Sequence, residues 1–228
     1  MSRSNGTDPT ADGSPAGGSQ AGQPQTGGGI SPPSTESYVP PVDDPAGAPS
    51  PEEVLELAAA AVRFVATNLK IQPDFTPETL PLVDHYLADA AKELQVRPET
   101  LPITAHSIGA YLGEVVRKRH PCWWRLDPTD PATWRLEFGR VHVCFYPVQV
   151  VYATLTRNSN EETFAGFEVE NEHHDAVMER LELIPPVSED DYYALGTRVE
   201  VLDIVIDAVA ARVLSDPGAK RLLGPDDY

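Results

Sequence analysis

The sequence predicts an α+β fold: helices packed on a small antiparallel sheet of three or more strands, with a long C-terminal helix. Three observations predict it. Apolar residues recur at helical spacing from Val54 to Leu94 and again in the last third of the chain. Between Trp134 and Tyr146 they alternate instead, which is the strand period. Ser188, followed by Glu189, Asp190 and Asp191, has the form of a helix start and opens an apolar stripe that runs to about Leu214.

Residues 1–49 stand apart from this pattern. The first 50 positions hold 9 Gly, 9 Pro and 8 Ser, with Met1, Ile30, Tyr38, Val39 and Val42 as the only large apolar side chains. So few apolar groups do not offset the entropy of ordering a chain, and the stretch reads as a disordered tail. Residues 50–228 then form a single acidic domain of a size that one core can serve.

The chain carries 17 basic and 35 acidic side chains, a formal net charge of −18. Such a balance repels phosphate backbones and anionic lipid, so it argues against nucleic acid and membrane surfaces and leaves a basic protein partner compatible. Glu56 and Arg63 interrupt one apolar stretch, Asp203 and Asp207 the other, so neither reads as a membrane span. The first 30 residues lack an apolar leader, and the only cysteines are Cys122 and Cys144. A cytoplasmic protein without a disulfide framework is expected.

Ser50-Pro51-Glu52-Glu53 combines an N-cap serine with proline at the first helical position, and a first helix is expected to about Leu69. Thr76-Pro77-Glu78 opens a second through Leu94, with an irregular first turn at Pro81. A third runs from about Thr104 to Arg119, stopped by Pro121. Gly109 and Gly113 share one face of it. A glycine inside a helix costs about 1 kcal/mol against alanine, so the pair is expected to admit a close neighbour, the hairpin or the last helix.

Trp134–Phe138 and Val141–Tyr146 flank Gly139-Arg140, which suits a two-residue type II′ hairpin turn. That turn sets Phe138 opposite Val141, Leu136 opposite Val143 and Trp134 opposite Phe145. Glu137 then faces His142, and Arg135 faces Cys144, on the other side. Cys122–Leu126 adds a third strand. Val148–Leu155 reads as a helix begun by Pro147 or as further strand, given its β-branched content. Phe164–Glu170 reads as a short strand and Asp175–Leu183 as a helix. The stripe of Leu195, Val199, Leu202, Ile206, Val209 and Val213 makes the last helix the expected centre of packing.

Several residues could carry chemistry. His120 with Cys122, and His142 with Cys144, have the inventory of a Cys2His2 zinc site. A central strand between the two pairs would keep them nearly 10 Å apart, which favours ordinary sheet residues. Glu137 opposite His142, with Arg135 favouring a Cys144 thiolate, is the arrangement a small hydrolase could use. Glu114, beside the glycine stripe, is a further candidate base, with a structural hydrogen bond the favoured reading. Glu172-His173-His174-Asp175 matches no ligand spacing and reads as a solvated helix start. No P-loop, dinucleotide fingerprint, Gly-x-Ser-x-Gly or His-Glu-x-x-His occurs, so no cofactor is expected.

Gly109-Ala-Tyr-Leu-Gly-Glu-Val-Val-Arg117, followed by Trp123-Trp124, the hairpin and Pro147, resembles a broad group of bacterial domains with no established activity. In these a Gly-x-x-x-Gly-Glu helix precedes a tryptophan strand and a hairpin. The resemblance spans about residues 76–155 and implies a small α+β fold of bacterial origin. The expected function is a non-catalytic interaction or regulatory domain on a flexible tether, binding a protein partner. The alternative is a small hydrolase or metal-dependent enzyme using the His142, Cys144 and Glu137 face.

Overall fold

Pro51 and the two glutamates behind it start α1 (Glu52–Leu69), which buries Val54, Ala58, Ala61 and Val65 at helical spacing. The computed structural model describes residues 45–157 and 166–228, all within one compact unit, so most of the proposed tail lies outside the described residues. Residues 45–49, which composition assigns to the tail, lie against the domain. Ala48 is buried, and the Arg117 guanidinium donates to its carbonyl at 2.7 Å. Ser50 does not cap α1 with its side chain. Its hydroxyl donates to Glu114 at 2.7 Å instead.

A single 3-10 turn at Pro77–Thr79 leads into α2 (Leu80–Leu94), the irregular start that Pro81 implies. The next helix, α3 (Leu101–Arg119), is buried all round from Ser107 to Gly113 and packs between α1 and a later helix, α4 (Pro147–Thr156). This makes α3, rather than the last helix, the centre of the domain. Its glycines explain how. A Cβ on Gly109 would sit 2.6 Å from the Val148 Cα at the start of α4, and one on Gly113 would overlap the Trp124 indole. The close neighbours are thus α4 and a strand tryptophan. Burial of Val148, Val150, Val151 and Leu155 settles α4 as a helix despite its β-branched residues, tertiary packing outweighing propensity.

Four antiparallel strands lie in the order β1 (Cys122–Arg125), β2 (Arg135–Phe138), β3 (Val143–Phe145) and β4 (Phe167–Val169). Leu136 pairs with Phe145 and Glu137 with Cys144, two residues away from the register of a two-residue turn. Gly139 is the reason. A type II′ turn needs positive φ at its first central residue, and Gly139 does not have it. Its amide instead donates to the Pro121 carbonyl at 2.9 Å and its carbonyl accepts from Leu223 at 3.0 Å. A slip of two keeps the parity, so Cys122, Trp124, Leu136, Phe138, Val143 and Phe145 still share the core face. The polar pairing changes: Glu137 faces Cys144, not His142.

Beyond β4 come α5 (Asn171–Leu181), α6 (Glu189–Tyr193) and α7 (Leu195–Ser215). Ser188 does cap a helix, accepting from the Asp191 amide at 3.1 Å, but that helix is the short α6. Extended backbone at Ala194 breaks the chain, and the Asp84 carboxylate on α2 accepts from the Leu195 amide at 2.9 Å to cap α7 across the fold. Among the described residues no helix is long and apolar enough to cross a membrane.

Candidate functional site

Strand alternation turns Trp123, Arg125, Arg135, Glu137, Cys144 and Glu168 away from the core, and the register lines up Trp123, Glu137, Cys144 and Glu168 across all four strands. Glu137 is fully buried. The Trp123 indole donates to its Oε2 at 2.8 Å, Arg125 Nε to Oε1 at 3.0 Å, and an Arg135 guanidinium nitrogen to Oε1 at 2.8 Å. One carboxylate therefore balances two guanidinium groups and holds an indole, a set of charge-assisted bonds that lock three strand side chains together. Next to it, burial pushes the Cys144 thiol up to about 12, against the pull of Arg135. The protonated thiol is no nucleophile near neutral pH.

Residues 216–228 cross back over this side as a strap. Leu223 bonds Gly139, Arg125 donates to the Pro225 carbonyl at 2.8 Å, and the His142 Nε2 stands 2.8 Å from the Asp227 carbonyl. The Tyr228 ring stacks on His142 with centroids 4.3 Å apart and meets Trp123 edge-on. Its hydroxyl sits in the mouth of the hairpin, where β2 and β3 part. There it accepts from the Phe138 amide at 3.0 Å and the Val143 amide at 3.3 Å, and offers its proton to the Phe138 carbonyl at 2.7 Å or that of Val141 at 2.8 Å. Burial raises the Tyr228 hydroxyl above its usual range.

The sequence-predicted residues are not brought together. Glu114 lies on the core side, accepting from the Trp124 indole at 2.7 Å and from Ser50. It is therefore separated from Glu137 by the sheet. The His120 Nε2 is 2.7 Å from an Asp203 carboxylate oxygen on α7. Cys122 belongs to the core and burial raises its thiol strongly, whereas Cys144 points the other way. The four His and Cys residues thus aim at four surroundings, and their Cys2His2 inventory does not converge. Arg117, Lys118 and Arg119 are engaged within the fold, with Cys122, Asp74 and Asp203 respectively.

A different group does converge. Among the described residues, Glu170, Glu172 and His173 bring one ligand atom each within 4.8 Å of one another. Glu170 ends β4 as the N-cap of α5, and His173 follows three residues on, which places both on one face of the first turn. His173 is turned inward and buried while His174 faces solvent. His142, on the hairpin loop, stands beside Glu170 alone of the three, its Nδ1 3.7 Å from Glu170 Oε1. These residues border a cavity of about 680 Å³ closed on its other side by Asp216–Lys220 of the strap. Composition alone gave Glu172–Asp175 to solvent. The Glu170-x-x-His173 spacing across a helix start was the available signal, and Arg125 and Tyr228 had none.

Compared with protein families, with curated proteins and with solved structures, the chain gives no match.

Proposed function

We propose that this chain is a non-catalytic domain that recognises a basic, amphipathic protein segment through the surface running from α5 to α6. One observation carries the reading. Between Glu168 and Tyr192 nine exposed carboxylates stand against Arg180 alone, and Met178, Leu183, Val187 and Tyr192 are exposed among them at 42%, 76%, 50% and 37%. Charged residues of one sign interleaved with exposed large apolar side chains form a surface whose complement is basic and apolar at once. The hydrolase alternative has less support, because Cys144 is protonated and Glu137 and Glu114 are each committed to indole and other donors.

The test is a titration of the 228-residue chain with a synthetic Lys/Leu amphipathic peptide, followed by amide NMR. Shifts clustered on residues 175–192, weakened by salt and lost in a Glu179→Lys, Glu182→Lys double variant, are expected. A control double variant, Glu93→Lys with Glu99→Lys, reverses as much charge on the other exposed helices and leaves them unchanged. Shifts spread evenly over the surface, or equally sensitive to both variants, would overturn the reading.

A further inference from the structure

We propose that Glu170, Glu172 and His173 form a transition-metal site of the zinc class at the start of α5. It shares Glu170 and Glu172 with the acidic stretch but not residues 175–192, on which the docking reading is tested.

The donor atoms have the wrong spacing for hydrogen bonds and the right one for a shared ion. His173 Nε2 stands 3.4 Å from Glu172 Oε1 and 3.8 Å from Glu170 Oε2. Zinc holds nitrogen and oxygen ligands at about 2.0–2.2 Å, so the edges of its tetrahedron, the ligand-to-ligand distances, are about 3.3–3.6 Å. The observed separations fall close to those edges.

His173 supplies the second, independent observation. It is 6% exposed, its Nδ1 is buried with no hydrogen-bond partner among the described residues, and its Nε2 is aimed at the two carboxylates. The nitrogen presented to the two carboxylates, Nε2, makes no hydrogen bond of ordinary length with them, so its lone pair is placed to meet an ion between them. An imidazole among the donors favours zinc and its neighbours over calcium or magnesium, which prefer all-oxygen shells.

Other charges face the cavity and do not take these donors. Lys220 is held by both oxygens of the Asp227 carboxylate at 2.7 Å, and Arg212 and Asp216 line the wall without an ion pair to Glu170 or Glu172 among the described residues.

The experiment uses the full chain, stripped with chelator and titrated with Zn2+ and separately with Mg2+ by calorimetry. One Zn2+ per chain and no comparable Mg2+ binding are expected. Glu172→Gln, at a largely exposed position that leaves folding intact, and His173→Gln should each weaken zinc binding about tenfold or more. His174→Gln, the solvent-facing neighbour, should change nothing. Absence of stoichiometric zinc binding by the wild-type chain overturns the proposal. So does zinc binding that survives Glu172→Gln and His173→Gln together in a chain shown by circular dichroism to be folded.

Discussion

The carboxylates of Glu137 and Glu170 lie on the same small sheet system, and they are treated in opposite ways. Glu137 is fully buried and takes donors from Trp123, Arg125 and Arg135 at 2.8–3.1 Å. Glu170 is exposed, and its imidazole neighbours stay 3.7 and 3.8 Å away. The first is a finished network: both oxygens of its carboxylate are taken by donors, so it has nothing left to offer a ligand. The second is unfinished, and its distances make sense once a further atom is added. Residue type does not separate the two, since both contain glutamate beside basic or imidazole groups. Satisfaction of hydrogen bonds does.

The sharpest way to break the comparison is to unbalance the finished network. Glu137→Gln keeps the shape and the acceptor for Trp123 but leaves two guanidinium groups without a counter-charge. Breaking a buried pair in this way typically costs about 3–5 kcal/mol, and the partial exposure of Arg125 and Arg135 places this case near the lower end. Urea unfolding of the two chains measures it. A loss below about 1 kcal/mol would show that the guanidinium groups are served by water, and Glu137 would then not be what holds this face.

Tyr228→Phe tests the neighbouring joint, where the strap completes the hairpin. Removing the hydroxyl strips the Phe138 amide of its acceptor, while the Val143 amide keeps a second one in the Val141 carbonyl at 2.9 Å. One buried amide left without a partner costs about 1–3 kcal/mol. Thermal unfolding should register that loss, and limited proteolysis should cut residues 216–228 sooner than in the wild-type chain. An unchanged cleavage rate would mean that the strap is held by Arg125, Leu223 and His142 without help from the tyrosine.

Much of this fold was legible in the sequence, and little of its candidate site was. The helical stripes of α1 and α3, the three central strands and their core face follow from periodicity, which records burial directly. The hairpin register was missed by two because Gly139 serves a tertiary bond to Leu223 instead of a turn, and no local pattern carries that. The split of the last helix at Ala194 was missed for the same reason: its second cap is Asp84, 111 residues away in the chain. The zinc-like inventory at Cys122 and Cys144 dissolved because strand alternation sends them to opposite faces. Glu137 was picked out as a possible base, yet its main partners include Arg125 on β1, reached only through the sheet pairing. His173 was passed over because a polar run at a helix start usually faces water. Its inward turn depends on the cavity that the strap and hairpin loop build around it.

Asp84 sharpens the comparison by lying between its extremes, a half-buried carboxylate with one backbone donor. Burial raises its carboxyl to about 6, with the Leu195 amide and the Arg157 guanidinium pulling the other way. A folded-state value above the unfolded 3.8 means that the protonated group is the better tolerated one. Below about pH 4 Asp84 is neutral in both states and costs nothing; as pH rises through 6 it ionises in the folded chain and stability is lost. Asp84→Asn keeps an acceptor for Leu195 and removes the titration. It gives up only the favourable meeting of a negative charge with the start of α7, worth about 0.3–1 kcal/mol. Near pH 4, where the folded-state carboxyl is protonated and has no charge to lose, the variant should match the wild type; near pH 7.5 it should be more stable, the difference between the chains swinging by on the order of 1–2 kcal/mol. Unfolding at both pH values reads the swing directly. Two curves that stay parallel would mean that the Leu195 amide alone compensates Asp84 as fully as three donors compensate Glu137. The number of donors would then no longer be what distinguishes a finished carboxylate from an open one.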